Sequence, residues 1–573
     1  MPSWCGESAA WPVSSFVLAA FLFLMGKIAY LQLYKGRELA AAAVQERTIR
    51  LPVGNFLRGA VLDRMGRTLL DSRICYGVAV FPALLTPSGH SEPALAGDRS
   101  GAAAVVCGEL FSILPPKYRT PEMVNIFQRA LQQGAPFFLP GTVEQEEAAP
   151  ISRSNIPGVY AVPLVQRYGP NSLARHLVGT VGGSVLSGEV EHGLSGIEAA
   201  YDEELAPPET VLNLVALVDG KLKPIPGRDL CISGERGSAV KGKDVVLTLD
   251  RRVQEVVERV MDERVVKGAV AVVDVRSGEI LAAASRPGYD QKTLVGDQFD
   301  RCFSLQHPGS VFKIVVAAAA LAEGVVRPEE LFHCKGEYSF EQGGGISCWK
   351  QDGHGNLSFR EAFACSCNPV FVEVALRLGR QKLEYYSRLL GLEERIAGYP
   401  PGDWRGGEVR IGSFPGDLGN AALGQDGVRI APVNLAALAA TVARGGVYIR
   451  PSLVKGIGDS KGGEFQAIEG PPARRVLPQA VAGELQRMME LAVNSGTGSE
   501  ASLPGIGCAG KTGSAETGKV DRQGRPIVDA WFVGYAPVDV PQVAVAVFVE
   551  GGGSGGNCAA RIFREIIDAL HRV

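Results

Sequence analysis

The sequence predicts a multidomain α+β protein with one N-terminal membrane helix, and three observations carry that prediction. At 573 residues the chain exceeds one ordinary core, so two or three folded units are expected. Phe16 to Met25 is almost continuously apolar, and Ile28 to Tyr34 continues the run past Lys27. Beyond about residue 241 a helix-rich middle lies between strand-like stretches, among them Asp529 to Tyr535 and Val543 to Val549.

Taken in order, the first element is the apolar run. If Lys27 snorkels, Trp11 to Tyr34 is long enough to cross a bilayer. A cleaved signal peptide is the alternative, but its small-residue site would be Ala40 to Ala43, far beyond the run. Lys27, Lys35 and Arg37 follow the helix and nothing basic precedes it, so flanking charge alone favours keeping the remainder inside. With 58 basic and 61 acidic residues the net charge is -3, which gives no electrostatic case for nucleic acid.

Next come three short strings. In Ser310-Val-Phe-Lys313 the chain breaks at His307-Pro-Gly309 and then runs apolar and Ala-rich to Gly324, which predicts a buried helix with Ser310 and Lys313 in its first turn. A serine hydroxyl is a poor nucleophile until a base takes its proton. A lysine one turn along the same face can do so if burial holds it neutral. Unpaired N–H groups at the helix start would face an oxyanion there. Ser366-Cys-Asn368 is placed between two helical stretches, Leu357 to Ala364 and Val370 to Leu376, where a loop can push a hydroxyl and an amide into a cleft. Lys511-Thr-Gly513 sits among small residues on an expected strand, with Gly510 and Gly513 leaving room for a peptide backbone. Read singly, the strings are equally a capping serine with a snorkelling lysine, an ordinary turn and a surface hairpin. Together and in this order they form an acyl-transfer set.

The wider chain resembles the class B penicillin-binding proteins, the D,D-transpeptidases that crosslink peptidoglycan. Arg58-Gly-Ala-Val-Leu-Asp63-Arg64-Met-Gly66, Arg167-Tyr-Gly-Pro170, His176-Leu-Val-Gly179 and Gly193-Leu-Ser-Gly-Ile-Glu198 are similar to motifs of that family's pedestal. Val246-Leu-Thr-Leu-Asp250 with Gln254, Gly268 to Asp274, Ser277 to Ala282 and Gly424-Gln425 continue the likeness. Asp426 and Ala431 depart from it, standing where glycine or a varied residue and threonine, respectively, are expected, outside the proposed chemistry. The resemblance implies a tail and transmembrane helix over 1–35, a β-rich pedestal over 36–240 with an inserted lobe near Ser91 to Phe137, and a penicillin-binding/serine β-lactamase-like transpeptidase domain over 241–573. C-terminal cell-wall-binding repeats, carried by some members, are not expected.

It also implies roles. Ser310 would attack the penultimate D-Ala carbonyl of a stem peptide, Lys313 would take its proton, and Ser366 would relay a proton to the departing D-Ala. Asn368 would bind the donor backbone, Lys511 and Thr512 the terminal carboxylate, and the amides of Ser310 and Ser514 the oxyanion, with Gly513 leaving space. β-Lactams would acylate Ser310. The implied setting is a single-pass protein of the bacterial cell membrane, catalytic domain outside, working with a polytopic membrane glycosyltransferase and needing neither cofactor nor metal. Elongation, division and spore formation are all open. A β-lactam-hydrolysing or β-lactam-sensing protein, or a non-catalytic cell-wall scaffold, are the alternatives; the pedestal motifs oppose the first two and the complete catalytic set opposes the third.

Eleven cysteines cannot all pair. Cys334 and Cys348 close a short loop and are candidates for a disulfide contributing about 3 kcal/mol. His333, His354, Cys365 and Cys367 crowd the same region, and although their spacings match no common zinc module, the alternatives are a zinc site, a disulfide or free thiols.

Overall fold

A computed structural model describes residues 10–572, apart from residues 37, 40–41, 43–47, 55–57, 86–98, 155, 184–185, 187–188, 190, 208–210, 220–229, 235–240, 342, 400–403 and 460–464. Helix α1 (Ala10–Ala29) continues into a π-helical turn over Tyr30–Tyr34. Side chains such as Phe16, Leu22 and Phe23 on this segment are exposed, and nothing among the described residues covers them. Such a surface is stable in a bilayer rather than in water. Among the described residues this is the one helix long and apolar enough to span a membrane.

The N-terminal unit is built on β1 (Thr48–Gly54), β2 (Arg73–Val80), β3 (Val159–Gln166) and β4 (Val211–Leu217). β1 lies antiparallel to β4, and β2 to β3. Between β2 and β3 the chain inserts α2 (Arg99–Ile113) and α3 (Pro121–Gln133), so the expected lobe is helical there; its first residues, 91–98, lie outside the described ones. The Thr120 side chain caps α3 at one end and Gly134, at φ 71°, turns the chain out of it at the other.

The motif residues of this unit converge on one buried carboxylate. Arg58 Nε donates to Glu198 Oε2 at 2.8 Å, Arg167 Nε to Glu198 Oε1 at 2.5 Å, and the Tyr168 hydroxyl to Oε1 at 3.2 Å. Arg58 reaches Asp202 as well. Nothing in local sequence joins these residues; their shared chemistry is to satisfy a charge removed from water.

The C-terminal unit begins with β5 (Asp244–Leu247) and α4 (Arg251–Arg264), capped by Asp250. β5 also receives a parallel strand from the other unit, Val61–Leu62, and Arg67 bridges Asp63 to Asp250. The R-G-x-x-x-D-R string is thus the joint between the units. Its main sheet contains β6 (Gly268–Asp274), β7 (Ile280–Arg286), β8 (Ala509–Val520), β9 (Pro526–Ala536) and β10 (Val543–Val549), in the antiparallel order β7-β6-β10-β9-β8. Strand alternation splits β6 cleanly: Ala269, Ala271 and Val273 enter one core, Val270 and Val272 the other. α4 and α10 (Ala559–His571) cover the second face.

The first face carries the helices that build the site: α5 (Lys313–Ala322), α6 (Phe359–Ala364), α7 (Asn368–Leu378), α8 (Pro432–Ala443) and α9 (Gln479–Asn494). Every residue of α8, and all of α5 through Ala320, is buried. At about 1.5–3 kcal/mol for each fully buried Val, Leu or Ile, this layer gives α5 a rigid seat.

Candidate active site

Ser310 lies in a 3₁₀ turn, Gly309–Phe312, that runs directly into α5. The helix start expected at Ser310 is therefore tighter than an α-turn, because β8 presses on it. Gly309 has φ 56°, and a Cβ there would meet the Ser514 carbonyl oxygen at 2.6 Å. At Gly513 a Cβ would meet the Pro308 oxygen at 2.6 Å and the Trp531 Cβ at 3.0 Å. The glycine of the third string is thus required by protein packing, a nearer reason than the expected room for a peptide.

Ser366 stands in the bend between α6 and α7, with φ 57°, and Asn368 opens α7. Lys313, wholly buried, points from α5 into this bend. Its Nζ donates to Asn368 Oδ1 at 2.7 Å, to the Ser366 carbonyl at 2.9 Å and to Ser366 Oγ at 3.2 Å. Burial brings the Lys313 ammonium down to about 8, against a raising influence from Cys367, Cys348 and Cys365.

β8 is the edge strand, so its outer side is open to a ligand. Its period of two sends Thr512, Ser514 and Glu516 to the cleft and leaves Lys511 buried behind them. Lys511 Nζ donates to the Thr512 carbonyl at 3.1 Å and lies 5.8 Å from the centre of the Phe363 ring. Burial, and then the charge of Lys313, hold it well below the ordinary lysine value. Neither lysine has an acidic partner among the described residues.

These elements enclose a cleft of about 530 Å³ whose walls include Ser310, Ser366, Asn368, Thr512 and Ser514. Five of the eight expected site residues thus face one space, and Lys313, Lys511 and Gly513 back its walls. The short Gly-rich loop after β10 closes one side: the Gly555 N–H donates to Ser514 Oγ at 3.2 Å, and Ser554 and Asn557 line the cleft. Sequence reasoning missed Thr497, whose hydroxyl lies 2.6 Å from that of Thr512, and Trp349, which is exposed at the cleft mouth. The small polar run Ser495-Gly-Thr-Gly498 before β8 was the available signal for the former.

The same bend gathers four further side chains. Cys334, Cys348, His354 and Cys367 place their ligand atoms within 4.8 Å of one another. The ten described cysteines are all free, Cys334 and Cys348 included, so of the alternatives the Cys334–Cys348 disulfide is not formed. Cys365 and His333, considered with this group from sequence, fall outside it: His333 Nδ1 instead lies 2.7 Å from Asn356 Oδ1.

A serine hydroxyl, a depressed lysine, a second hydroxyl and an edge strand around one cleft define an enzyme of the serine acyl-transfer class. The comparisons make this specific. The penicillin binding protein transpeptidase domain family matches residues 268–568, and the penicillin-binding protein dimerisation domain family matches residues 55–230. Stage V sporulation protein D of Bacillus subtilis is 28% identical over 575 residues, covering 96% of this chain and 83% of its own. Peptidoglycan D,D-transpeptidase PbpA of Mycobacterium tuberculosis is 32% identical over 372 residues, 58% of this chain and 73% of its own. Peptidoglycan D,D-transpeptidase FtsI of Escherichia coli K12 is 26% identical over 586 residues, 97% of this chain and 90% of its own. The chain belongs to the class B penicillin-binding proteins, and it is a serine-type D,D-transpeptidase with one N-terminal membrane-spanning helix and an extracytoplasmic remainder.

Proposed function

We propose that Ser310 is the nucleophile of this transpeptidase and that the other seven residues serve it in the roles their positions allow. Lys313 in its neutral form takes the Ser310 proton as Oγ attacks the penultimate D-Ala carbonyl. The Ser310 and Ser514 amides hold the oxyanion. Collapse of the tetrahedral adduct breaks the peptide bond, and Ser366, hydrogen-bonded to Lys313, passes a proton to the leaving D-Ala nitrogen. An amine of a second stem peptide then attacks the ester, closing the crosslink and returning the proton to Ser310.

Asn368 binds the donor backbone from α7, while the Thr512 hydroxyl, held by Thr497, receives the terminal carboxylate with Lys511 supplying positive charge from behind the strand. Gly513 lets β8 approach Ser310 closely. β-Lactams, whose strained amide replaces the D-Ala-D-Ala bond, acylate the same hydroxyl. We further infer the division into a tail and anchor over 1–35, a pedestal over 36–240 and the transpeptidase domain over 241–573. A membrane glycosyltransferase that polymerises the glycan is the inferred partner, and sporulation, the process named for the Bacillus relative, is a candidate setting.

The observation that carries this reading is the triple contact of Lys313 Nζ with the Ser366 and Asn368 side chains and the Ser366 carbonyl, in the wall of the cleft that Ser310 lines. A fluorescent penicillin tests it. The expected result is a long-lived label on the full chain that Ser310→Ala abolishes. Rapid loss of the label would indicate a hydrolase, and an unlabelled native protein would indicate a scaffold.

A further inference from the structure

Cys334 ends the strand Leu331–Cys334, Cys348 and His354 lie in the loop that follows, and Cys367 is the middle residue of the Ser366–Asn368 string. All three cysteines are buried. His354 Nδ1 lies 3.4 Å from Cys348 Sγ, and its Nε2 is buried without a hydrogen-bond partner among the described residues. An imidazole so placed is not spent on a protein oxygen. Three thiols and one imidazole supply four soft ligands and no carboxylate, which suits zinc and not calcium or magnesium. Tetrahedral zinc, with Zn–S of about 2.3 Å and Zn–N of about 2.0–2.1 Å, sets its ligand atoms roughly 3.5–3.8 Å apart. The observed spread of up to 4.8 Å closes to that by side-chain movements of about an ångström. A disulfide would consume two of the thiols and strand the third beside the imidazole.

We propose that Cys334, Cys348, His354 and Cys367 bind a structural zinc ion that fastens the loop under the cleft mouth to the Ser366–Asn368 bend. Four protein ligands leave no open position, so the ion holds structure and does not activate water. What it holds is under strain. Ser366 sits at φ 57°, in the left-handed region that a residue with a Cβ disfavours, and its neighbour Cys367 is a ligand. On either side of the set the loop already grips the bend: Asn368 Nδ2 donates to the Ser347 carbonyl at 3.0 Å and Trp349 Nε1 to the Cys365 carbonyl at 2.9 Å. Trp349 also packs edge-on against His354 at 5.2 Å, so the ion's ligand shell positions an aromatic side chain that lines the cleft.

The test uses the full chain, purified in detergent without chelator, equilibrated with zinc and dialysed. Elemental analysis should find about one zinc per chain. Cobalt in its place should give the intense absorption of a tetrahedral thiolate site. Cys348→Ser should lose the metal, and Cys365→Ser, next to the bend but outside the set, should keep it. If Cys348→Ser does not fold, His354→Cys, which retains four ligands, must fold and hold the ion. Removing zinc from the native chain should speed amide exchange across residues 334–368 and leave the remainder unchanged. Substoichiometric zinc, retention of zinc by a folded Cys348→Ser, a disulfide within the set, or exchange indifferent to the metal would each overturn the proposal.

Discussion

Glu198 in the pedestal and Lys313 in the transpeptidase domain are both ionisable groups removed from water, yet their surroundings are opposite. Glu198 meets two arginines and a tyrosine hydroxyl, so its charge is fully answered. Lys313 donates to neutral oxygens and has no carboxylate partner among the described residues, and Lys511, buried a short distance away, repels it. The first arrangement holds three motif strings together and offers nothing to a substrate. The second stores an unmet charge beside an open cleft, which is the signature of a site that titrates and binds anions. Burial alone does not separate structure from function; the partner of the buried charge does.

Substitutions that separate stability from chemistry sharpen that contrast. Lys313→Met should slow penicillin acylation by about 10²–10⁴, the range typical of a lost general base, while leaving the melting temperature unchanged or raised. Stopped-flow acylation and calorimetry on one preparation decide it, and a large fall in stability with normal acylation would break the comparison. Glu198→Gln should do the reverse. It leaves Arg167 without its carboxylate partner and Arg58 with Asp202 alone, so unfolding free energy should drop by about 3–5 kcal/mol, while the folded fraction acylates at the native rate.

The smallest expected effect is on pH. Burial places Lys313 near 8, and the neutral lysine is the active form, so the acylation rate should rise with pH and level off above that value. Below it the rate should fall about tenfold per unit. Glu198→Gln should retain this profile. A rate flat from pH 6 to 9 would remove Lys313 from the role of base.

Much of this was legible in the chain. The helix at Ser310, the bend at Ser366 and the edge strand at Lys511 each follow from short-range signals, a break, an apolar run and small residues, and the structure places them so. What sequence could not show was side-chain direction along β8. Strand alternation turns Lys511 inward, and a single string gives no register from which to foresee it. The packing duty of Gly513 was hidden for a related reason, since its neighbours Pro308 and Trp531 are remote in the chain. The Cys334, Cys348, His354 and Cys367 cluster matched no zinc module because its geometry comes from a folded-back loop and not from a repeated spacing. Glu198 was visible only as part of a motif; its two arginines arrive from segments far away in sequence.

The central claim is that the three strings form one acyl-transfer site with Ser310 as its nucleophile. Proteolysis of the penicillin-treated full chain, followed by mass spectrometric mapping of the adduct, tests it directly. The account predicts a single penicilloyl group on the peptide containing Ser310. An adduct on Ser366 or Ser514, or native protein without an adduct, would contradict it.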